Sequence, residues 1–171
     1  MRIVRTMLAL SLAAAVTGCN SSAPKPAVND APPSPADLTL CALLTPQDFR
    51  DAGAGSIVTG TISGGGSAQS VTCTYGTDLQ MVVQILPTVD NASAIYQVLV
   101  GSGWFASDTR ASPVSGVDES LYGTGPDGGA VVLRRRTLII LVTMPGNGHD
   151  AALVQLATKA LNTASTMKLT S

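Results

Sequence analysis

Ala130-Val131-Val132-Leu133-Arg134-Arg135-Arg136-Thr137-Leu138-Ile139-Ile140-Leu141-Val142-Thr143-Met144 is the stretch that decides the fold. Two runs of aliphatic and β-branched residues flank a short charged interruption, the pattern of two strands joined by a tight turn. Leu138 to Val142 does not alternate. A strand that is apolar at every position is buried on both faces, so helices are expected to cover both sides of the sheet at that point. An earlier run behaves differently: Leu79, Met81, Val83 and Ile85 alternate with Gln80 and Gln84, as in a strand with one dry face.

Working outward, the strand signals are Ser56 to Ser63, Ser70 to Tyr75 and Leu79 to Leu86 in the first half, separated by Gly64-Gly65-Gly66 and Gly76-Thr77-Asp78. In the second half they are Glu119 to Gly123, Ala130 to Arg135 and Leu138 to Met144, with a turn at Pro126-Asp127-Gly128-Gly129. Three helices punctuate them. Thr45-Pro46-Gln47-Asp48 supplies an N-cap, a proline at N1 and an acid in the first turn, opening a short helix to about Gly53. Asp90 or Asn91 is expected to cap a second helix through Val100, with Ala94, Ile95, Val98 and Leu99 on one face. Asp150 is expected to cap a third, Ala151 to about Ala164, whose stripe is Leu153, Leu156, Ala157, Ala160 and Leu161. The order α-βββ-α-βββ-α with hairpin-length turns gives an α+β fold: a mainly antiparallel sheet of about six strands with helices packed on it.

The N-terminus reads as an export signal. Arg2 and Arg5 precede an apolar run from Met7 to Val16, too short for the roughly 20 residues of a membrane span. Val16-Thr17-Gly18-Cys19 resembles the bacterial lipobox, which implies cleavage before Cys19 and a diacylglycerol on its sulfur. Two acyl chains hold a protein stably at a membrane. Residues 1–18 are thus a lipoprotein signal peptide and residues 19–37 the lipidated Cys with a Pro- and Ser-rich tether, of a length between a coil of about 25 Å and a polyproline spacer of about 55 Å. Residues 38–166 form one extracytoplasmic domain, placed on the outer face of the cell membrane. Once Arg2 and Arg5 leave, eight Lys and Arg stand against eleven Asp and Glu, a net charge of −3 that offers nucleic acid nothing.

With Cys19 consumed by lipid, Cys41 and Cys73 are the remaining thiols and are expected to oxidise to a disulfide outside the cytoplasm. Closing a loop of about 33 residues contributes roughly 3–4 kcal/mol on the chain-entropy view. The rival reading is a reactive thiol, which needs a neighbouring base; the only histidine is His149.

The lipobox, the tether, Cys41-Ala42-Leu43-Leu44-Thr45-Pro46 opening a helix, Cys73-Thr74-Tyr75 on a strand and the closing Leu153-to-Leu161 helix together resemble actinobacterial surface lipoproteins of the domain-of-unknown-function family 3558, over roughly residues 38–165. The resemblance implies an envelope lipoprotein with a disulfide between Cys41 and Cys73. It carries no catalytic residues with it.

Several patterns imitate active sites and read more simply as structure. Gly123-x-Gly125-x-x-Gly128 has dinucleotide spacing, but a strand follows it where that chemistry needs a helix N-terminus. Ser165-x-x-Lys168 ends three residues before the C-terminus, with no chain left for its partners. His149 and Asp150 read as a helix start. One His and one Glu, Glu119, make a dedicated transition-metal site improbable, and no cofactor is expected. Arg134-Arg135-Arg136 reads as a solvated hairpin end that discourages edge pairing, with contact to anionic headgroups or a partner's carboxylates as the functional alternative.

The residues left for a ligand or partner are Trp104 and Phe105, in the glycine-flanked Gly101-to-Phe105 connection, and Tyr122. Such a pair is more often core or lid packing, though aromatic residues on loops also anchor ligands. The expectation is a non-enzymatic binding or accessory module, acting on an envelope protein or component. A carrier of apolar lipid or glycolipid is the second class and a hydrolase the third. An enclosed apolar cavity near Trp104 and Tyr122 favours carriage, and a flat patch favours a protein partner.

Overall fold

The structure, a computed structural model, describes residues 39–54, 60–65, 70–76, 79–102, 105, 108–125, 128–146 and 148–167. The expected signal peptide, Cys19, the tether, Trp104 and residues 56–59 of the first strand signal lie outside them. Among the described residues seven antiparallel strands form one sheet: β1 (Gly60–Gly65), β2 (Ser70–Tyr75), β3 (Leu79–Ile85), β4 (Asp108–Ala111), β5 (Glu119–Gly125), β6 (Gly128–Arg135) and β7 (Leu138–Pro145). Their order across the sheet is β1-β2-β3-β7-β6-β5-β4. Two meanders therefore meet at the β3–β7 seam, where Val83 stands opposite Ile140. The helices are α1 (Pro46–Asp51), α2 (Val89–Val100) and α3 (Asp150–Thr166). The α+β class and the alternation of helices with strand groups follow the expectation; β4 is an additional short strand ahead of the second trio.

Every residue of β7 from Leu138 to Met144 is buried, as its unbroken apolar run requires. Its odd and even positions serve two cores. Leu138, Ile140, Val142 and Met144 join Val131 and Leu133 of β6 beneath Leu153, Leu156, Ala157, Ala160, Leu161 and Ala164 of α3. Ile139 and Leu141 join Ala130 and Val132 beneath Ala92 and Tyr96 of α2. On the α3 side the dry surface continues across β3 and β2, where Leu79, Met81, Val83, Val71, Cys73 and Tyr75 pack against Leu40, Leu43, Leu44 and Phe49. A disulfide joins Cys41 to Cys73, with Cα atoms 5.5 Å apart. Beside it the buried Tyr75 hydroxyl donates to the Cys41 carbonyl at 2.7 Å, and the Tyr75 and Phe49 rings lie 5.0 Å apart.

Thr45 is the N-cap, as expected, and with Asp48 it forms a capping box: Thr45 N–H and hydroxyl both donate to Asp48 Oδ2 at 2.7 Å, and the Asp48 N–H points back at Thr45 Oγ1. Lys159 of α3 approaches the other Asp48 oxygen at 3.3 Å, tying α1 to α3. Two cap expectations are corrected. Thr88, not Asp90 or Asn91, caps α2, its Oγ1 accepting from Asn91 N–H at 3.1 Å; the proline at 87 makes the preceding chain extended and moves the start upstream. His149 is the N-cap of α3 and makes no side-chain cap bond, while Asp150 is the first helical residue and turns its carboxylate elsewhere.

The arginine cluster is also corrected. The β6–β7 hairpin lies inside the sheet, flanked by β5 and β3, so it guards no edge. Arg134 is 8% exposed and projects to the α2 side, where Nε donates to Glu119 at 2.5 Å and Nη1 to Asp118 at 3.2 Å. It is the buried centre of an ion-pair network and not a solvated end. Arg135 turns to the other side and donates to Ser165 of α3. Arg136 occupies the turn with φ of 54°, a conformation costing an L residue roughly 1–2 kcal/mol. Its N–H donates to Asp118 at 2.5 Å and its carbonyl accepts from Arg134 at 3.1 Å, which holds the turn in place.

Candidate binding groove

Arg110 on β4 stands directly opposite Tyr122 on β5. Cross-strand neighbours on one face lie about 5 Å apart, and here the guanidinium carbon sits 4.7 Å from the centre of the tyrosine ring, a cation–π geometry. The Tyr122 hydroxyl donates to Asp150 Oδ1, and Arg110 Nη2 donates to Asp150 Oδ2. Asp150 opens α3, where the partial positive charge of the helix end also favours a carboxylate. One strand edge, its neighbour and a helix start are thereby locked together by a single carboxylate.

Two glycines on β6 let these parts approach. A Cβ on Gly129 would lie 2.8 Å from Leu153 Cδ1 and 3.4 Å from the Tyr122 hydroxyl, so its bare backbone gives the first turn of α3 room against the sheet. Gly128 has φ of +143°, and a Cβ there would come within 2.2 Å of the Met144 carbonyl oxygen, leaving glycine as the only residue that fits. The Gly-x-Gly-x-x-Gly spacing thus belongs to a hairpin, in which Gly125 pairs with Gly128, and no helix follows it.

Between β4 and the start of α3 lies an open groove of about 570 Å³. Ala111, Pro113, Ala151 and Val154 give it apolar walls, Gln155 one polar rim, and the Arg110–Asp150–Tyr122 cluster its polar end. Burial first, then the hydrogen bond to Asp150 and its charge, push the Tyr122 phenol up to about 12 against the opposing pull of Arg110. At neutral pH it is a fixed, protonated donor. A second hollow of about 330 Å³ between α1 and α3 is lined by Asp51, Thr158, Asn162 and the Asp48–Lys159 ion pair.

Of the residues singled out in the sequence, Phe105 and Tyr122 do not converge, and Trp104 lies outside the described residues. Phe105 is 5% exposed and packs in the α2-side cluster. Tyr122 is 2% exposed and lies on the opposite side, its ring forming part of the groove wall. Cys41 and Cys73 are buried under the α3-side core, away from the groove. Arg110 and Asp150 were not legible as site residues, because 40 positions separate them and neither sits in a motif. Among the described residues no three His, Cys, Asp or Glu side chains are grouped to hold a metal, and no helix is long and apolar enough to cross a membrane.

Comparison with protein-family models, with curated proteins and with solved structures finds no match to this chain.

Proposed function

We propose that this chain is a lipid-anchored protein of the bacterial cell envelope whose domain is a non-enzymatic binding module, with the groove between β4 and α3 as its site. The groove is the observation that carries the reading. It has the size and the mostly apolar lining with a few converging polar groups that binding sites share. Its polar end is held in place: the Tyr122 hydroxyl and Arg110 Nη2 both donate to Asp150, so the remaining Arg110 N–H groups and the Tyr122 oxygen, as an acceptor, stand at fixed positions for a ligand. The lipobox ending at Cys19 supports the anchor and the outer face of the membrane as location, and the Cys41-to-Pro46 opening with the second Cys at 73 supports kinship with the lipoproteins of family 3558.

Carriage of a lipid is the second reading. The apolar lining favours it, but an acyl chain lying in an open groove keeps part of its surface in water, where an enclosed cavity would not.

One experiment tests anchor and site together. Cells expressing the wild type, Cys19→Ser or Ala151→Trp are fed labelled fatty acid, and the purified proteins are then exposed to detergent-solubilised envelope proteins and, separately, to extracted envelope lipids. Label is expected in all but Cys19→Ser, and a retained component is expected to be lost from Ala151→Trp alone. Label in Cys19→Ser overturns the anchor. Retention that ignores the indole overturns the groove, and lipid as the only component displaced by it selects the carrier.

A further inference from the structure

The groove reaches around the edge of a strand. Arg110 and Ala111 are successive residues of β4, whose side chains point to opposite faces, yet both line it. The backbone between them is therefore part of the groove surface. Among the described residues β4 ends the sheet and pairs only with β5. In an antiparallel pair every second residue turns its N–H and C=O away from the partner, so two of the four β4 residues present their donors and acceptors outward. Thr109, Arg110 and Ala111 are all exposed.

The opposite edge of the sheet differs. β1 shifts register between Ser63 and Gly65 against β2, an irregularity of the kind that blunts an edge against further pairing. β4 has no such break: its register runs evenly from Asp108 opposite Thr124 to Ala111 opposite Leu121. Charge narrows the occupant. Arg110 and Asp150 neutralise each other while their side chains remain 56% and 45% exposed. A fatty-acid carboxylate or a phosphate arriving at Arg110 meets the charge of Asp150 as well, whereas an uncharged chain that alternates donors and acceptors complements both partners and the strand edge at once.

We propose that β4 receives an extended peptide segment of a partner protein as an eighth strand, with alternate apolar side chains of that segment seated against Ala151 and Val154 of α3. This rests on the groove being the binding site, and it names the class of partner and the mode of contact. Main-chain bonds to an open strand supply affinity and the pocket beside it supplies side-chain selection.

The test uses the full lipidated chain in detergent micelles and a displayed library of random twelve-residue peptides, from which binders are resynthesised. N-methylation of alternate amides in a binder is expected to weaken it about tenfold per lost hydrogen bond, and methylation of the intervening amides to change it little. Ala151 is exposed, so Ala151→Trp fills the groove without entering the core, and it is expected to abolish binding with an unchanged melting curve. Binders that tolerate methylation at every amide overturn strand addition, as does a wild-type chain that sediments as a dimer and takes up no peptide. If no peptide binds but oleate or an envelope component is lost from Ala151→Trp, strand addition falls and the groove stands as a binding site. If no binding of any kind responds to the indole, the groove falls with it.

Discussion

The two faces of the sheet are packed to different depths. Beneath α3 the buried surface runs from β2 to β6 and is closed at one end by the 39–44 segment, the disulfide and α1, and at the other by Tyr122. Beneath α2 only β6 and β7 are covered fully: Thr72, Thr74, Val82 and Gln84 on the β2–β3 half are half-buried, and Gln80 is exposed. α2 itself leaves Val98 68% exposed and buries only Ala92 and Tyr96. One long helix lies on each face, but α3 is joined by residues 39–44 and α1, whereas among the described residues α2 is joined only by the buried Phe105. The deep face makes the domain stable. The polar cluster at its far end, next to β4, is where the proposed site would hold a ligand without opening that core.

The largest expected effect tests this asymmetry directly. Leu156 is fully buried beneath α3, so Leu156→Ala leaves a cavity and is expected to cost about 2–5 kcal/mol. Leu99, half-buried at the end of α2, is expected to cost about 1 kcal/mol or less on the same truncation, since much of its surface already meets water. Urea unfolding of both variants measures the difference. Equal costs would show that α2 shields its face as well as α3 does.

The sequence displayed the deep face more clearly than anything else. The stripe Leu153, Leu156, Ala157, Ala160 and Leu161 is buried as its spacing requires, and β2 runs from Ser70 to Tyr75 as its β-branched residues suggest. Those signals are local and repeat over many residues. β4 was missed because Asp-Thr-Arg-Ala has neither alternation nor β-rich composition; it is a strand because β5 offers it an edge. The Arg134 network was misjudged for a related reason. Charged residues beside a turn read as solvated, and only the tertiary arrangement reveals that Glu119 at the start of the neighbouring strand and Asp118 just before it make burial tolerable. The site cluster was invisible in the same way, since Arg110, Tyr122 and Asp150 meet only once three elements are assembled.

An intermediate effect is expected where α1 joins the deep face. Burial pushes the Asp48 carboxyl up, but the Thr45 backbone and hydroxyl bonds and the Lys159 ammonium together outweigh it and leave the group below the usual value of 3.8. Asp48→Asn removes the charge from both the capping box and the bridge and is expected to cost about 1–2 kcal/mol at pH 7. A depressed carboxyl contributes its stability above its unfolded value and loses it as pH falls through the folded one. The gap between wild type and Asp48→Asn is therefore expected to be constant above about pH 5 and to shrink below pH 4. A gap that persists undiminished to pH 2 would assign the cost to packing alone.

The smallest effect separates the faces by one tyrosine each. Burial, then the charge of Glu119, push Tyr96 up to about 12 on the α2 side against Arg134, while burial, then Asp150, push Tyr122 up to about 12 on the α3 side against Arg110. A phenol with a raised folded value stabilises below its unfolded value near 10 and loses that contribution as pH climbs towards 12, so both contribute to alkaline unfolding. Asp150→Asn takes away the charge that disfavours the Tyr122 phenolate and leaves Arg110 beside it unopposed. Its cost at neutral pH is expected to stay under about 1 kcal/mol, because the Arg110–Asp150 pair is half exposed. Tyr122 is nevertheless expected to titrate at lower pH in this variant while Tyr96 does not move, as read from ring-carbon shifts of labelled tyrosine, with Tyr122→Phe identifying the signal. Movement of both tyrosines would mean that Asp150 acts through the sheet as a whole; movement of neither would mean that burial alone sets Tyr122, and that the carboxylate does not hold the hydroxyl at the end of the groove.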